Sequence, residues 1–347
     1  MPAREKRWKC FLALRNSRTH PWLRFVDAAV NTPVAFLIFQ RPDLTARVFE
    51  RIRQARPPKL LIVADGPRTS QETARCAEAR RVVERVDWPC EVQRNYSEHN
   101  MGCRDRIASG LDWVFSRVPE AIVLEDDCEP CPSFFGFCET LLGHYRDSDR
   151  VMHICGSNFL VHWPNAYSYY FSRYAHMWGW ATWARAWRHM DLQMRRWREF
   201  RTSGMEELFS DKDARRHWVQ KLDPIAKGTR TDTWDYPWQY SIWARRGISI
   251  VPHMNLVANI GFREDATRTR TGPLANLPVG EAAASLRHPP EVTFDDKADE
   301  TVFLQVFGGQ RTKLRKSLRY KLSKPVRVYR KLRERWSGAR SSATHAG

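Results

Sequence analysis

The chain predicts an α/β fold: a doubly wound, mostly parallel sheet with flanking helices, followed by a basic helical C-terminal tail. Three observations carry this. Short aliphatic runs alternate with segments of helical spacing over the first 130 residues of the 347. One of those runs, Ala121 to Leu124, ends abruptly in three consecutive carboxylates, Glu125, Asp126 and Asp127. The excess positive charge lies at the two ends of the chain and not in its body.

The elements follow in order. Pro33 to Phe39 is a strand, because a short β-branched and aliphatic run bounded by breakers suits a strand covered on both faces. Asp43 to Ala55 has helical spacing. Lys59 to Ala64 is a second strand, ending in Asp65-Gly66-Pro67. Gln71 to Val86 predicts a helix, Cys90 to Gln93 a short third strand, and Arg104 to Arg117 a helix reached through Asn100-Met101-Gly102. Ala121 to Leu124 is the fourth strand. Phe134 to Tyr145 is helical and Val151 to Cys155 is another strand. Strands alternating with helices mean βαβ units and a parallel sheet. After Trp163 the chain changes character, with Trp178, Trp180, Trp183, Trp187 and Trp197 in one group and Trp234, Trp238 and Trp243 in another. Such aromatics fill cores by default and also suit the C–H face of a sugar.

A net charge of +18 suggests a nucleic-acid binder until it is located. Residues 1–25 carry +6 and residues 311–347 carry +12, while 26–310 hold 37 basic and 37 acidic residues. A neutral body gives no basic face for nucleic acid, so no nucleic-acid partner is expected. Within 311–336, Leu314, Leu318, Leu322, Val326, Tyr329 and Leu332 recur every three or four residues between Lys and Arg. Pro325 divides this into two short helices. A basic amphipathic segment of this kind can lie on an anionic membrane surface; the alternative is a solvated or packed tail. No apolar stretch approaches the roughly 18–20 residues of a span. Met1 to Arg24 is too interrupted for a secretory signal. The eight cysteines form no regular framework, and Cys128-Glu129-Pro130-Cys131 is a lone CxxC without the second pair a zinc site needs. They are expected to be reduced structural thiols in a cytoplasmic protein, with peripheral attachment to the inner face of the cell membrane. The expected organisation is a basic N-terminal segment (1–30), one α/β domain (31–308) and a basic amphipathic tail (309–347).

Ligands in open α/β sheets bind beyond the carboxyl ends of the strands. Three carboxylates at such an end repel one another unless a cation joins them, and Mg²⁺ or Mn²⁺ takes carboxylate oxygens and bridges to phosphates. The pattern therefore points to a metal–diphosphate site, against the plainer alternative of a solvated acidic loop.

The run AIVLEDDCEPCPSFF (121–135) resembles the metal-binding segment of GT-A-fold inverting glycosyltransferases. It is similar to the bacterial family-2 or haemolysin-like group and to the N-acetylglucosaminyltransferase that initiates complex N-glycans. The resemblance covers about 33–265 in ordered segments. It implies a GT-A domain with a donor half at about 31–160 and an acceptor half at about 161–308. It further implies that Asp127 coordinates Mn²⁺ or Mg²⁺, and that Glu125 and Asp126 face the nucleotide. Arg41 would contact the nucleotide, Asp65 would accept from uracil N3–H, and Arg104, in preference to Arg106, would point inward. The segment His176 to Ala181, with Trp180, would lie over the donor sugar. Thr233-Trp234-Asp235 matches the Trp–Asp element whose aspartate is the catalytic base, with Asp232 as a rival. Asn259 to Phe262 and Glu264 to Thr267 resemble a closing loop, and His253 stands where some relatives carry a late metal ligand. Cys128 and Cys131 and the basic tail depart from the pattern. The expected activity is metal-dependent inverting transfer from a nucleotide-sugar, UDP-sugar favoured, to a glycan or lipid-linked acceptor. The alternatives are a membrane-peripheral sugar-nucleotide-binding protein without turnover and a nucleotidyltransferase of the same sheet type.

Overall fold

The computed structural model describes residues 30–308, except 265, 267–271, 273 and 276. The basic N-terminal segment and the tail at 309–347 lie outside the described residues, as do Asp265 and Thr267 of the expected closing loop. The described residues fall into two units, 30–194 with 231–295, and 195–230 with 296–308.

The first unit is α/β, with helices flanking a large sheet. Chain order begins β1 (Val34–Ile38), α1 (Pro42–Ala55), β2 (Lys59–Ala64), α2 (Ser70–Val82), β3 (Glu91–Tyr96), α3 (Cys103–Phe115) and β4 (Glu120–Glu125). It continues with β5 (Cys128–Pro130), α4 (Ser133–His144), β6 (Val151–Cys155), β7 (Tyr169–Ser172), β8 (Trp180–Trp183) and α5 (Ala184–Trp187). The eight-stranded sheet has the order β3-β2-β1-β4-β8-β6-β9-β7, where β9 is Ile248–Pro252. The pairs β3–β2, β2–β1, β1–β4 and β6–β9 are parallel, and β4–β8, β8–β6 and β9–β7 are antiparallel. A second ribbon pairs β5 with β10 (Val257–Asn259).

The order explains the helix placement. The chain steps from β1 to β2 to β3 in one direction, then returns through α3 to β4 on the other side of β1. Right-handed crossovers in opposite directions put their helices on opposite faces. Accordingly Val34, Phe36 and Ile38 pack in one core with Val48, Phe49 and Ile52 of α1. Ala35 and Leu37 pack in the other with Ile107, Leu111 and Val114 of α3. The strand order therefore reverses between β1 and β4, where a crevice opens at the carboxyl ends.

The strands expected at 33–39, 59–64, 121–124 and 151–155 are present. The helix expected to reach Val86 stops at Val82, and β3 runs on to Tyr96 because it pairs with β2 along its whole length, Lys59 to Ala64. The tryptophan-rich segment contains β8, inserted antiparallel between β4 and β6. Here Trp183 enters the first core and Trp180 the second.

The second unit contains helices α6 (Trp197–Thr202), α7 (Gly204–Leu208), α8 (Lys212–Ala226) and α10 (Asp296–Gln305); α9 (Asp235–Ala244) belongs to the first unit. Asp211 caps α8 by accepting from Asp213 N at 2.6 Å. His217 and Trp218 of α8 meet Phe303 and Phe307 edge-on. Among the described residues no helix is long and apolar enough to cross a membrane. Among the described residues no two cysteines are joined in a disulfide.

Two imidazoles are buried, that of His153 on β6 and that of His176 in the loop before β8. Trp238 Nε1 donates to His153 Nδ1 at 3.2 Å, so His153 Nε2–H donates to the His176 carbonyl at 3.1 Å. His176 Nδ1 donates to the Ser157 carbonyl at 2.9 Å. Burial lowers their pKa values to about 3 and about 4. Unfolding releases both to protonate near the ordinary value of about 6.5, so their stabilisation is full above that pH and lost on acidification below it. Urea denaturation should show a stability drop of about 2 kcal/mol per imidazole between pH 7 and 5. His153→Phe should shrink that drop, and a pH-independent midpoint in the wild type would contradict the buried-neutral assignment.

Candidate functional site

Two adjoining cavities, of about 170 and 230 Å³, open at the β1/β4 reversal and share Arg41, Cys103 and Glu125. The first is lined further by Gln40, Asp65, Arg68, Asn100, Arg106 and Asp126. The second is lined by Asp127, Trp178, Trp234, Asp235, Asn259 and Phe262. Residues from both halves of the chain thus meet in one crevice.

Its centre is an ion pair. Arg41, just after β1, bonds through Nη2 to Asp126 Oδ1, just after β4, and lies 3.1 Å from Asp127 Oδ2. Phe39 N donates to Asp126 Oδ2 at 3.3 Å. The Asp126 side chain is 4 % exposed and that of Asp127 is 18 % exposed, so the two acids point to different environments. Burial alone would lower the Arg41 pKa, but attraction to Asp126 and Asp127 prevails and raises it. Burial pushes the Asp126 carboxyl up against the pull of Arg41. Because a guanidinium does not surrender its proton, the two form an ion pair. Asp126 therefore serves Arg41 and the β1 backbone.

Asp127 is held from the other side by β10. The β5–β10 pairing sets Asn259 opposite Cys128, Ile260 N donates to the Asp127 carbonyl at 2.8 Å, and Asn259 Oδ1 accepts from Gly261 N at 2.9 Å. A Cβ on Gly261 would overlap the Asp127 side chain, so a larger residue there would have to displace the carboxylate. Phe262 meets Trp178 edge-on at 5.6 Å. Arg263 pairs with Asp43 at the start of α1.

Asp65 and Arg104 differ from expectation. Asp65 accepts from Gly66 N and Met101 N through Oδ1 and from Asn100 Nδ2 and Gly102 N through Oδ2, at 2.9 to 3.1 Å. Its acceptor capacity is taken up by the loop that starts α3, where Gly102 has φ +78°, a conformation that favours glycine. Arg104 bonds Asp105 and the Leu192 carbonyl and lines neither cavity. Arg106 lines the first cavity instead, while bonding the Ala64 carbonyl and Asn95. The reason is helical geometry, since 104 and 106 are two residues apart and face different sides of α3.

Trp180 is the other correction. It is 1 % exposed, stacked between His153 at 4.9 Å and Trp234 at 5.8 Å, and belongs to the core. Trp178, two residues earlier and across the turn at Gly179 (φ +57°), is the aromatic that reaches the cavity. Trp234 is nearly buried yet lines the second cavity, and Asp235 beside it begins α9. Thr233 Oγ1 donates to Asp235 Oδ1. His253 pairs edge-on with His162, away from both cavities. Asp232 lines neither.

Sequence reasoning passed over Gln40, Arg68 and Cys103 as lining residues. Only Cys103 carried a signal, as the first residue of a helix that starts at the sheet's reversal. Among the described residues no three His, Cys, Asp or Glu side chains converge as a metal cage. A hard dication that keeps water and substrate oxygens needs only one or two carboxylates, and Asp127, with Glu125 lining the same cavity, meets that requirement.

No protein-family model matches the chain, and no curated protein matches it.

Removing Asp126 leaves the buried Arg41 guanidinium with only its longer contact to the more exposed Asp127. Asp126→Ala should therefore cost about 3–5 kcal/mol in chemical denaturation, and Asp127→Ala under about 1 kcal/mol. Equal losses would contradict the division of labour between the two acids.

Proposed function

We propose that the chain is a GT-A-type glycosyltransferase that moves a sugar from a nucleotide-sugar, UDP-sugar favoured, to an acceptor hydroxyl with inversion. The observation that carries this is the meeting of Arg41, Asp127 and Asp235, from three distant segments, around adjoining cavities at the β1/β4 reversal. Resemblance of the 121–135 and 233–235 segments to that family supports the same reading.

In this reading the first cavity takes the nucleotide, with Arg68 and Arg106 contributing positive charge. Arg41 faces the diphosphate, since a guanidinium matches phosphate oxygens in charge and shape. Asp127, with Glu125 nearby, would hold Mn²⁺ or Mg²⁺, which supplies Lewis-acid stabilisation of the departing diphosphate. The donor sugar then lies in the second cavity against Trp178 and Phe262. Asp235 takes the acceptor proton as the acceptor oxygen bonds to the anomeric carbon. The bond from that carbon to the phosphate oxygen breaks, and its electron pair leaves with the nucleoside diphosphate. One displacement by one base gives inversion. The hydrogen bond from Thr233 orients the Asp235 carboxylate for this role.

The acceptor is proposed to be a glycan or a lipid-linked glycan, consistent with polysaccharide assembly at the cytoplasmic membrane face. The basic, amphipathic sequence at 311–336 supports contact with an anionic surface.

A panel of nucleotide-sugars with and without Mn²⁺ tests the reading. One donor at a hundredfold excess over its Kd should stabilise the native protein by about 2.7 kcal/mol, only with the metal. Asp127→Ala should lose that shift. Asp235→Asn should keep it and lose transfer by about 10²–10⁴-fold. Metal-independent stabilisation, or full transfer by Asp235→Asn, would contradict the assigned roles.

A further inference from the structure

Arg41 faces two demands that conflict. Its guanidinium lines both cavities, binds Asp126 and lies 3.1 Å from Asp127 Oδ2. Yet Asp127 is the carboxylate assigned above to a divalent cation. Two cations cannot share one carboxylate oxygen at that range without strong repulsion. We propose that Arg41 occupies Asp127 in the nucleotide-free protein and yields it to a divalent cation only when a nucleoside diphosphate draws the guanidinium away, so that metal binding depends on the diphosphate. The proposal rests on the crevice being a nucleoside-diphosphate and metal site.

The geometry suits an exchange of one contact. Asp126 is the buried partner, tied also to Phe39 N, and losing Arg41 there would strand a buried charge. Asp127 is the more exposed partner, and its contact is the longer. A diphosphate oxygen can replace Asp127 with an interaction of the same charge-assisted kind, while Asp126 keeps its own. The incoming negative charge removes the cation–cation penalty at the moment Asp127 is released. Arg41 is thus a positioning residue for the metal as well as a contact for the diphosphate.

The test is a Mn²⁺ titration of the full chain, followed by the electron-paramagnetic signal of the free aquo ion, with and without UDP. Binding of Mn²⁺ by UDP alone is subtracted. Wild type should bind Mn²⁺ at least tenfold more tightly with UDP than without. Arg41→Met should bind Mn²⁺ without UDP at least tenfold more tightly than wild type, and adding Asp127→Asn should abolish that gain. Because Arg41→Met leaves Asp126 unpaired, Arg41→Met with Asp126→Asn provides a second, charge-balanced variant with the same expectation. If nucleotide-free wild type and both variants bind Mn²⁺ equally, while UDP and Mn²⁺ still bind through Asp127, the dependence on Arg41 is wrong and the donor site stands. If no form binds UDP or Mn²⁺, the donor-site reading fails and this inference fails with it.

Discussion

The buried pair between Arg41 and Asp126 is the contact on which the rest of the crevice depends. It joins the ends of β1 and β4, neighbours in the sheet separated by 85 residues of sequence. Burying two charges costs about as much as their attraction returns, so such a pair contributes geometry more than stability. That geometry propagates. Asp126 is buried in the turn after β4, while Asp127 beside it is more exposed and lines the second cavity. Cys128 then starts β5, whose pairing with β10 brings Ile260 N and Gly261 against Asp127.

The other wall is set by aromatic packing. Trp180, Trp187, Trp234 and Trp238 share one core with Met152 and Ile242, and Trp238 also donates to His153. Large, rigid rings fix the start of α9, and Asp235 is the first residue of that helix. A charged group set by a packed core keeps its position better than one on a free loop. Among the described residues these tryptophans are therefore mostly scaffold, and Trp178 and Trp234 also line the second cavity.

Much of this was legible before the structure. The alternation of apolar runs and helical spacing up to residue 130 marked β1, β2 and β4, because each is covered on both faces and reads as an uninterrupted aliphatic run, whereas β3 is a polar edge strand whose full length was not legible. The acidic end of β4 marked the crevice. Direction of side chains was not legible. Asp65 looked available as a turn aspartate, yet three of its four hydrogen bonds go to residues 100–102, far away in sequence. The choice between Arg104 and Arg106 depended on the rotation of α3, and that between Trp178 and Trp180 on whether a four-residue aromatic stretch was a strand. β8 is short and inserted antiparallel, so no local period announced it.

The central claim is that the β1/β4 crevice holds a nucleoside diphosphate and a divalent cation. A crystal structure of the full chain grown with UDP and Mn²⁺ tests it most directly. The account predicts diphosphate density against Arg41 and an anomalous Mn²⁺ peak at Asp127, with the base toward Arg68 and Arg106. Ordered UDP bound elsewhere, or Mn²⁺ bound away from Asp127 while the crevice stays empty, would contradict it.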